Sequence, residues 1–191
     1  VLISAPQKGW SGSPCAGLVM LSALASERLQ QTASTSFSCD LKKWRDIMVA
    51  YEKGGHAYHA TMPTDSLKAF AEVMRETQEM GFSNARAAQE ELGVKVRELF
   101  VSQGIKSLAA PGFEAPSVVV SYTDDGEMQS GKKFAALGMQ IAAGVPLQCD
   151  EAEGFQTFRI GLFGLDKLLN IDRTVTSLAK TLNKMSLEAV A

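Results

Sequence analysis
A chain of 191 residues, 46% apolar and 21% charged, is long enough to bury the core of one domain or of one and a half. Its formal net charge of -2 supplies no basic field for nucleic acid, and its longest apolar runs break well short of a membrane span. Cys15, Cys39 and Cys149 are odd in number and widely spaced, and His56 and His59 lack further ligands for zinc, so no metal site is expected and a reducing, cytoplasmic setting is.

The chain opens on an apolar run, Val1-Leu2-Ile3, and a second run follows at Ala16 to Leu21. Both read as buried strands, the first with the composition of a strand inside a parallel sheet. Between them lies Ala5-Pro6-Gln7-Lys8-Gly9-Trp10-Ser11-Gly12, a turn punctuated by proline and relaxed by glycine. A buried strand at the first residue implies that its neighbours lie in other sequence, and the chain is expected to be the C-terminal part of a larger protein. Ser22 to Leu29 reads as a short helix. Asp40 is a good N-cap for a second helix, with Leu41, Trp44, Ile47, Met48 and Tyr51 near helical spacing and Gly54-Gly55 as its stop.

An irregular segment, His56 to Pro63, precedes a long helix capped by Thr64 or Asp65 and closed by Gly81. A further helix runs from about Ser83 to Gly104 with Ala85, Ala88, Leu92, Val96 and Leu99 on one side. The two are joined only by Gly81-Phe82, where a second, smaller domain is expected to begin, giving domains 1–80 and 81–191. Beyond Gly104 the pattern alternates: a strand at Ser117–Tyr122, a turn at Asp124-Asp125-Gly126, a helix at Ser130–Leu137, strands at Gln140–Val145 and Phe155–Ile160, and a last helix capped by Asp172 or Thr174. In the second of these strands Phe155, Thr157 and Arg159 are expected on one face. The fold class read from this order is α/β, the later part a small sheet with helices on one face.

Several residues could carry chemistry. Lys8, in its Gly/Pro-rich turn, suits an amine that condenses with a carbonyl cofactor, or is a solvated loop residue. Arg159 lies in Phe158-Arg159-Ile160-Gly161; a guanidinium between apolar neighbours calls for an anion, either a substrate carboxylate held by two parallel hydrogen bonds or a structural Asp or Glu. Tyr58 and Thr61 are hydroxyl donors just before a helix, suited to a phosphate or to capping and packing. Gln7 could donate to the same anion or satisfy the turn. Trp10 could stack on a ring or belong to the core. Cys149, with no histidine near it in sequence, reads as an ordinary thiol.

Gln7-Lys8 with its turn, Tyr58-His59-Ala60-Thr61-Met62-Pro63 and Phe158-Arg159-Ile160-Gly161 come in an order and spacing that resembles class V aminotransferases, nearest the serine–pyruvate and alanine–glyoxylate group. The resemblance spans nearly the whole chain. It implies the end of a large domain with a mostly parallel sheet, followed by a small α+β C-terminal domain of the pyridoxal 5′-phosphate (PLP) fold type I. It implies amino transfer from a small amino acid of the serine or alanine type to a 2-oxo acid of the glyoxylate or pyruvate type. Lys8 matches the lysine that forms a Schiff base with PLP, and Gln7 a residue beside the cofactor phosphate. Tyr58 and Thr61 match groups reaching the phosphate of the partner subunit, so a homodimer with shared sites is implied. Arg159 matches the arginine that takes the substrate carboxylate. Ala60 stands where the family often has a second histidine. The N-terminal half of the family, with the ring that stacks on PLP and the Asp that pairs with its nitrogen, has no counterpart in these residues. Two other readings stand beside this one: a non-catalytic piece that must assemble with its missing half, and a PLP lyase or desulfurase of the same fold, for which Cys149 is the candidate cysteine.

Overall fold
The computed structural model describes residues 1–188; the end of the expected second domain, residues 189–191, lies outside the described residues. By its internal contacts the chain divides into two units, one of residues 1–8 and 12–73, the other of residues 9–11 and 74–191.

In the first unit, strand β1 (Leu2–Ser4) pairs antiparallel with β2 (Leu18–Met20), with Ile3 opposite Val19. Within the described residues this strand is open, as expected of a strand whose packing neighbours were placed in other sequence. Val1, Leu2 and Ile3 are 74%, 64% and 72% exposed, and among the described residues β1 pairs with one strand, antiparallel. Apolar composition reports what a strand is suited to pack against, and among the described residues nothing packs on it. Helix α1 (Ala23–Gln30) begins where Ser22 Oγ accepts the amide of Ala25. Helix α2 (Leu41–Glu52) begins at Asp40, whose Oδ1 accepts the amide of Lys43 at 3.0 Å, as its N-cap position predicts. Helix α3 (Thr64–Met80) buries Phe70.

Helix α4 (Phe82–Ser102) follows α3 after one residue, Gly81, at φ 87°. That left-handed angle is open to glycine at little cost and turns the chain between two long helices. The second unit contains a three-stranded antiparallel sheet in the order β3 (Val118–Tyr122), β5 (Thr157–Gly161), β4 (Ala142–Ala143). Register puts Val119 opposite Ile160 and Ser121 opposite Phe158. These side chains share the face that joins Leu92, Val96 and Phe100 of α4 in the core. Phe158 is fully buried between Phe100 and Phe134, each ring centroid 5.7 Å away. Truncating such a ring to Ala costs about 3–5 kcal/mol. Helix α8 (Ile171–Glu188) closes the core with Leu178 and Leu182, with Ile171, Val175 and Met185 along the same stripe.

Three local expectations change. The helix read over Ser130–Leu137 shortens to α6 (Lys132–Ala136), and the expected turn before it runs into a further short helix, α5 (Gly126–Gln129), with Gly131 at a left-handed φ of 81° between the two. The strand read over Gln140–Val145 shrinks to Ala142–Ala143. Helix α7 (Leu165–Leu169) had no counterpart in the pattern; it is five residues, too short to show a period. The face shared by Thr157 and Arg159 is found, but Thr157 is buried and Arg159 half-buried, so both faces of β5 are covered.

Candidate functional site
In the first unit Lys8 sits on the turn after β1. Pro6 is buried and its carbonyl accepts the amide of Gly12 at 2.8 Å, which closes the loop. Gly12 lies close over α3: a Cβ there would be 3.0 Å from Cδ2 of Phe70. Gln7 and Lys8 project from this loop and are exposed. The Lys8 amine has no ion-pair partner among the described residues. An unpaired amine on a closed, anchored loop is available to an electrophile, as the solvated reading also allows.

Tyr58 and Thr61 stand on the segment between α2 and α3, and the structure brings them together: their hydroxyl oxygens are 3.2 Å apart. Both residues are exposed. The spacing lets one hydroxyl donate to the other while two oxygens remain near one point in solvent, a geometry that suits a phosphate oxygen. What holds this segment was missed in the sequence. His59 Nε2 lies 2.8 Å from the carbonyl oxygen of Phe37, and its ring packs on Phe37 at 4.1 Å and on Trp44 at 5.1 Å. Trp44 is fixed in turn by donating its indole N–H to the Ser38 carbonyl at 2.8 Å. His59 is therefore a structural anchor between the two hydroxyl residues, and its partner, 22 positions back in sequence, gave no local signal.

Arg159 belongs to the second unit. It lies on the face of β5 that carries Thr157, away from the core residues Phe158 and Ile160, with Val120 and Ala142 opposite it on the neighbouring strands. Its Nε donates to the carbonyl of Ala143 at 2.9 Å. No carboxylate pairs with it among the described residues, so the structural ion pair is not formed within this chain.

Trp10, in the same unit, meets Phe82 edge-on at 6.4 Å, which accounts for the ring as packing. Cys149 is an exposed free thiol, as Cys39 is, while Cys15 is half-buried and free. The Cys149 loop is clasped by Glu151, whose carboxylate accepts the amides of Leu147, Gln148 and Cys149. Its own backbone amide and these three hold the Glu151 carboxyl below the usual range, partly opposed by desolvation. Among the described residues no group of His, Cys, Asp or Glu could hold a metal ion, and no helix is long and apolar enough to cross a membrane.

No family model matches the sequence, and no curated protein matches it. Solved structures do match. An alanine–glyoxylate aminotransferase from Nostoc sp. is similar at a TM-score of 0.70 and 20% identity, over 94% of this chain and 47% of its own. A ureidoglycine–glyoxylate aminotransferase from Bacillus subtilis gives 0.77 and 20%, over 99% of this chain and 47% of its own. A subgroup IV aspartate aminotransferase from Thermus thermophilus gives 0.72 and 22%, over 95% and 48%. The chain thus has an aminotransferase fold and spans about half the length of the structures it matches. The fold class that the resemblance implied is the one found.

Proposed function
We propose that this chain is part of a PLP-dependent aminotransferase that moves an amino group between a small amino acid, of the serine or alanine type, and a 2-oxo acid of the glyoxylate or pyruvate type. The observation that carries the reading is the state of the residues the family motifs pick out. Among the described residues Lys8 offers an amine with no ion-pair partner on an anchored loop, Tyr58 and Thr61 offer two hydroxyls at one point, and Arg159 offers a guanidinium with no carboxylate paired to it. The aminotransferase fold of the chain supports the same reading.

The donor set fits PLP: an amine for its aldehyde, hydroxyls for its phosphate, and among the described residues no anion paired with the amine. When bound, PLP supplies an aldehyde carbon that condenses with amines and a ring that accepts the electron pair left at the substrate Cα. Lys8 would hold that aldehyde between turnovers, and its amine, once released, would be the base that takes the substrate Cα proton. Gln7, Tyr58 and Thr61 would hold the phosphate, the latter two from the partner subunit of a homodimer. Arg159 grips the substrate carboxylate and so orients the Cα–H bond. The remaining half of the enzyme, with the groups that stack on and protonate the ring, comes from sequence outside this chain. A cytoplasmic setting accords with three unpaired thiols.

Lys8→Ala in the full-length protein is expected to remove the visible absorbance of bound PLP and to cut turnover by orders of magnitude. Borohydride reduction and peptide mapping should place the cofactor mass on the peptide containing Lys8. Undiminished transamination by the variant overturns the reading. The desulfurase alternative asks for a mobile cysteine; the Glu151 clasp on the Cys149 loop argues against it, and sulfide release from cysteine is the assay that separates the two.

A further inference from the structure
We propose that Gly144 is a positioning residue for Arg159, fixing its guanidinium so that a ligand carboxylate is taken end-on by the two Nη groups; this rests on the reading of Arg159 as the carboxylate clamp. Gly144 is buried where β4 runs against β5. A Cβ at this position would overlap the carbonyl oxygen of Thr157 and stand 2.7 Å from its Oγ1. Thr157 is 2% exposed and cannot move aside without disturbing the sheet. Only a residue without a side chain lets the chain approach this closely.

The approach is fixed from the other side as well. The amide of Gly144 donates to the carbonyl of Gln129 at 3.1 Å, and Gln129 Nε2 reaches back to the Gly144 carbonyl at 3.4 Å. The residue before Gly144 is Ala143, whose carbonyl accepts Arg159 Nε at 2.9 Å. Holding Gly144 therefore holds the acceptor that orients the arginine. A guanidinium can meet a carboxylate side-on, through Nε and one Nη, or end-on, through both Nη. Here Ala143 occupies Nε, and no described residue pairs with either Nη. The end-on mode is the one left open, with the plane of the fork already set.

The test compares Gly144→Ala, Arg159→Ala and the double variant in the full-length enzyme, with L-alanine as donor and glyoxylate as acceptor. Two readouts are taken: KM against kcat, and hydrogen exchange of the Arg159 Nε–H by NMR. Gly144→Ala is expected to raise the amino-acid KM about tenfold, to leave kcat within about twofold, and to speed Nε–H exchange. In the Arg159→Ala background it should add nothing to KM. A wild-type KM and exchange rate in Gly144→Ala, or a fully multiplicative effect in the double variant, overturns the proposal. An unchanged KM in Arg159→Ala overturns the clamp itself, and exchange of the Nε–H then still decides whether Gly144 sets the arginine. Should Gly144→Ala not fold, Gln129→Ala is read in the same way: faster exchange with a smaller rise in KM supports the device, and no change in either sinks it.

Discussion
Arg97 and Arg159 are both half-buried in the second unit, yet they are used differently. The Nη groups of Arg97 are spent on three carbonyls, Ala115 at 2.7 Å, Gly93 at 3.3 Å and Val118 at 3.4 Å, and burial pushes its pKa down against the pull of Glu114. It ties α4 to the segment leading into β3, with both Nη groups engaged by backbone. Arg159 spends Nε alone. Gly93, beside Arg97 on α4, shows how tight this packing is: a Cβ would lie 2.7 Å from the Pro116 carbonyl oxygen and 2.9 Å from its Cα. Alanine in a helix interior is favoured over glycine by about 1 kcal/mol, but overpacking against backbone costs about 1–3 kcal/mol. Gly93→Ala should therefore lower stability by up to about 2 kcal/mol in thermal or urea unfolding, and a variant more stable than wild type would mean that the Pro116 loop yields freely. At this scale the sequence named Lys8, Arg159, Tyr58 and Thr61 by residue type. It did not name His59 or Gly144, whose roles depend on partners brought close only by folding.

Among elements, the short helix α5 is held by one side chain. Asp125 Oδ1 accepts the amides of Glu127 at 2.8 Å and Met128 at 3.0 Å, while Oδ2 takes the ammonium of Lys133. The Lys133 hydrogen bond first, then the Met128 amide, holds this carboxyl below its ordinary value of 3.8. A depressed folded pKa means stability that is complete above the unfolded value and lost as pH falls through the folded one. The wild type should thus lose melting temperature on acidification below about pH 4, and Asp125→Asn, which keeps a capping oxygen, should have a flatter acid limb. Equal slopes would show that Lys133 contributes nothing through this pair. Long elements were readable because their stripes repeat: Leu92, Val96 and Leu99 on α4, or Val175, Leu178 and Leu182 on α8. The two-residue β4 and the five-residue α7 offered no period to read.

For the molecule as a whole, the shared-site reading has its own test. Full-length Lys8→Ala and Tyr58→Phe/Thr61→Ala proteins are each expected to be nearly inactive. Unfolded together and reassembled, they should recover activity, up to about a quarter of wild type, because a hybrid dimer with shared sites contains one site free of both defects. No recovery in hybrids that demonstrably form would place Tyr58 and Thr61 with the Lys8 of their own subunit. The exposed Val1, Leu2 and Ile3 belong to this scale too: on the proposed reading, a strand left open in a chain that spans about half the length of its structural relatives would be covered by the other half of the enzyme.

By itself the sequence determined what recurs over short distances or is stated by residue type: the long helices, the strands at Val118 and Thr157, the capping Asp40, and an amine, two hydroxyls and a guanidinium in an order that carries a family resemblance. Tertiary structure alone decided that β1 is antiparallel and exposed, that Phe37 and Trp44 pack on His59, and that the Ala143 carbonyl accepts Arg159 Nε beside the close approach of Gly144 to Thr157. Helical and strand periods are set by bonds between near neighbours and are written into the spacing of side chains. Pairings across many residues depend on which surfaces meet once the chain has collapsed, and spacing along the sequence does not encode them.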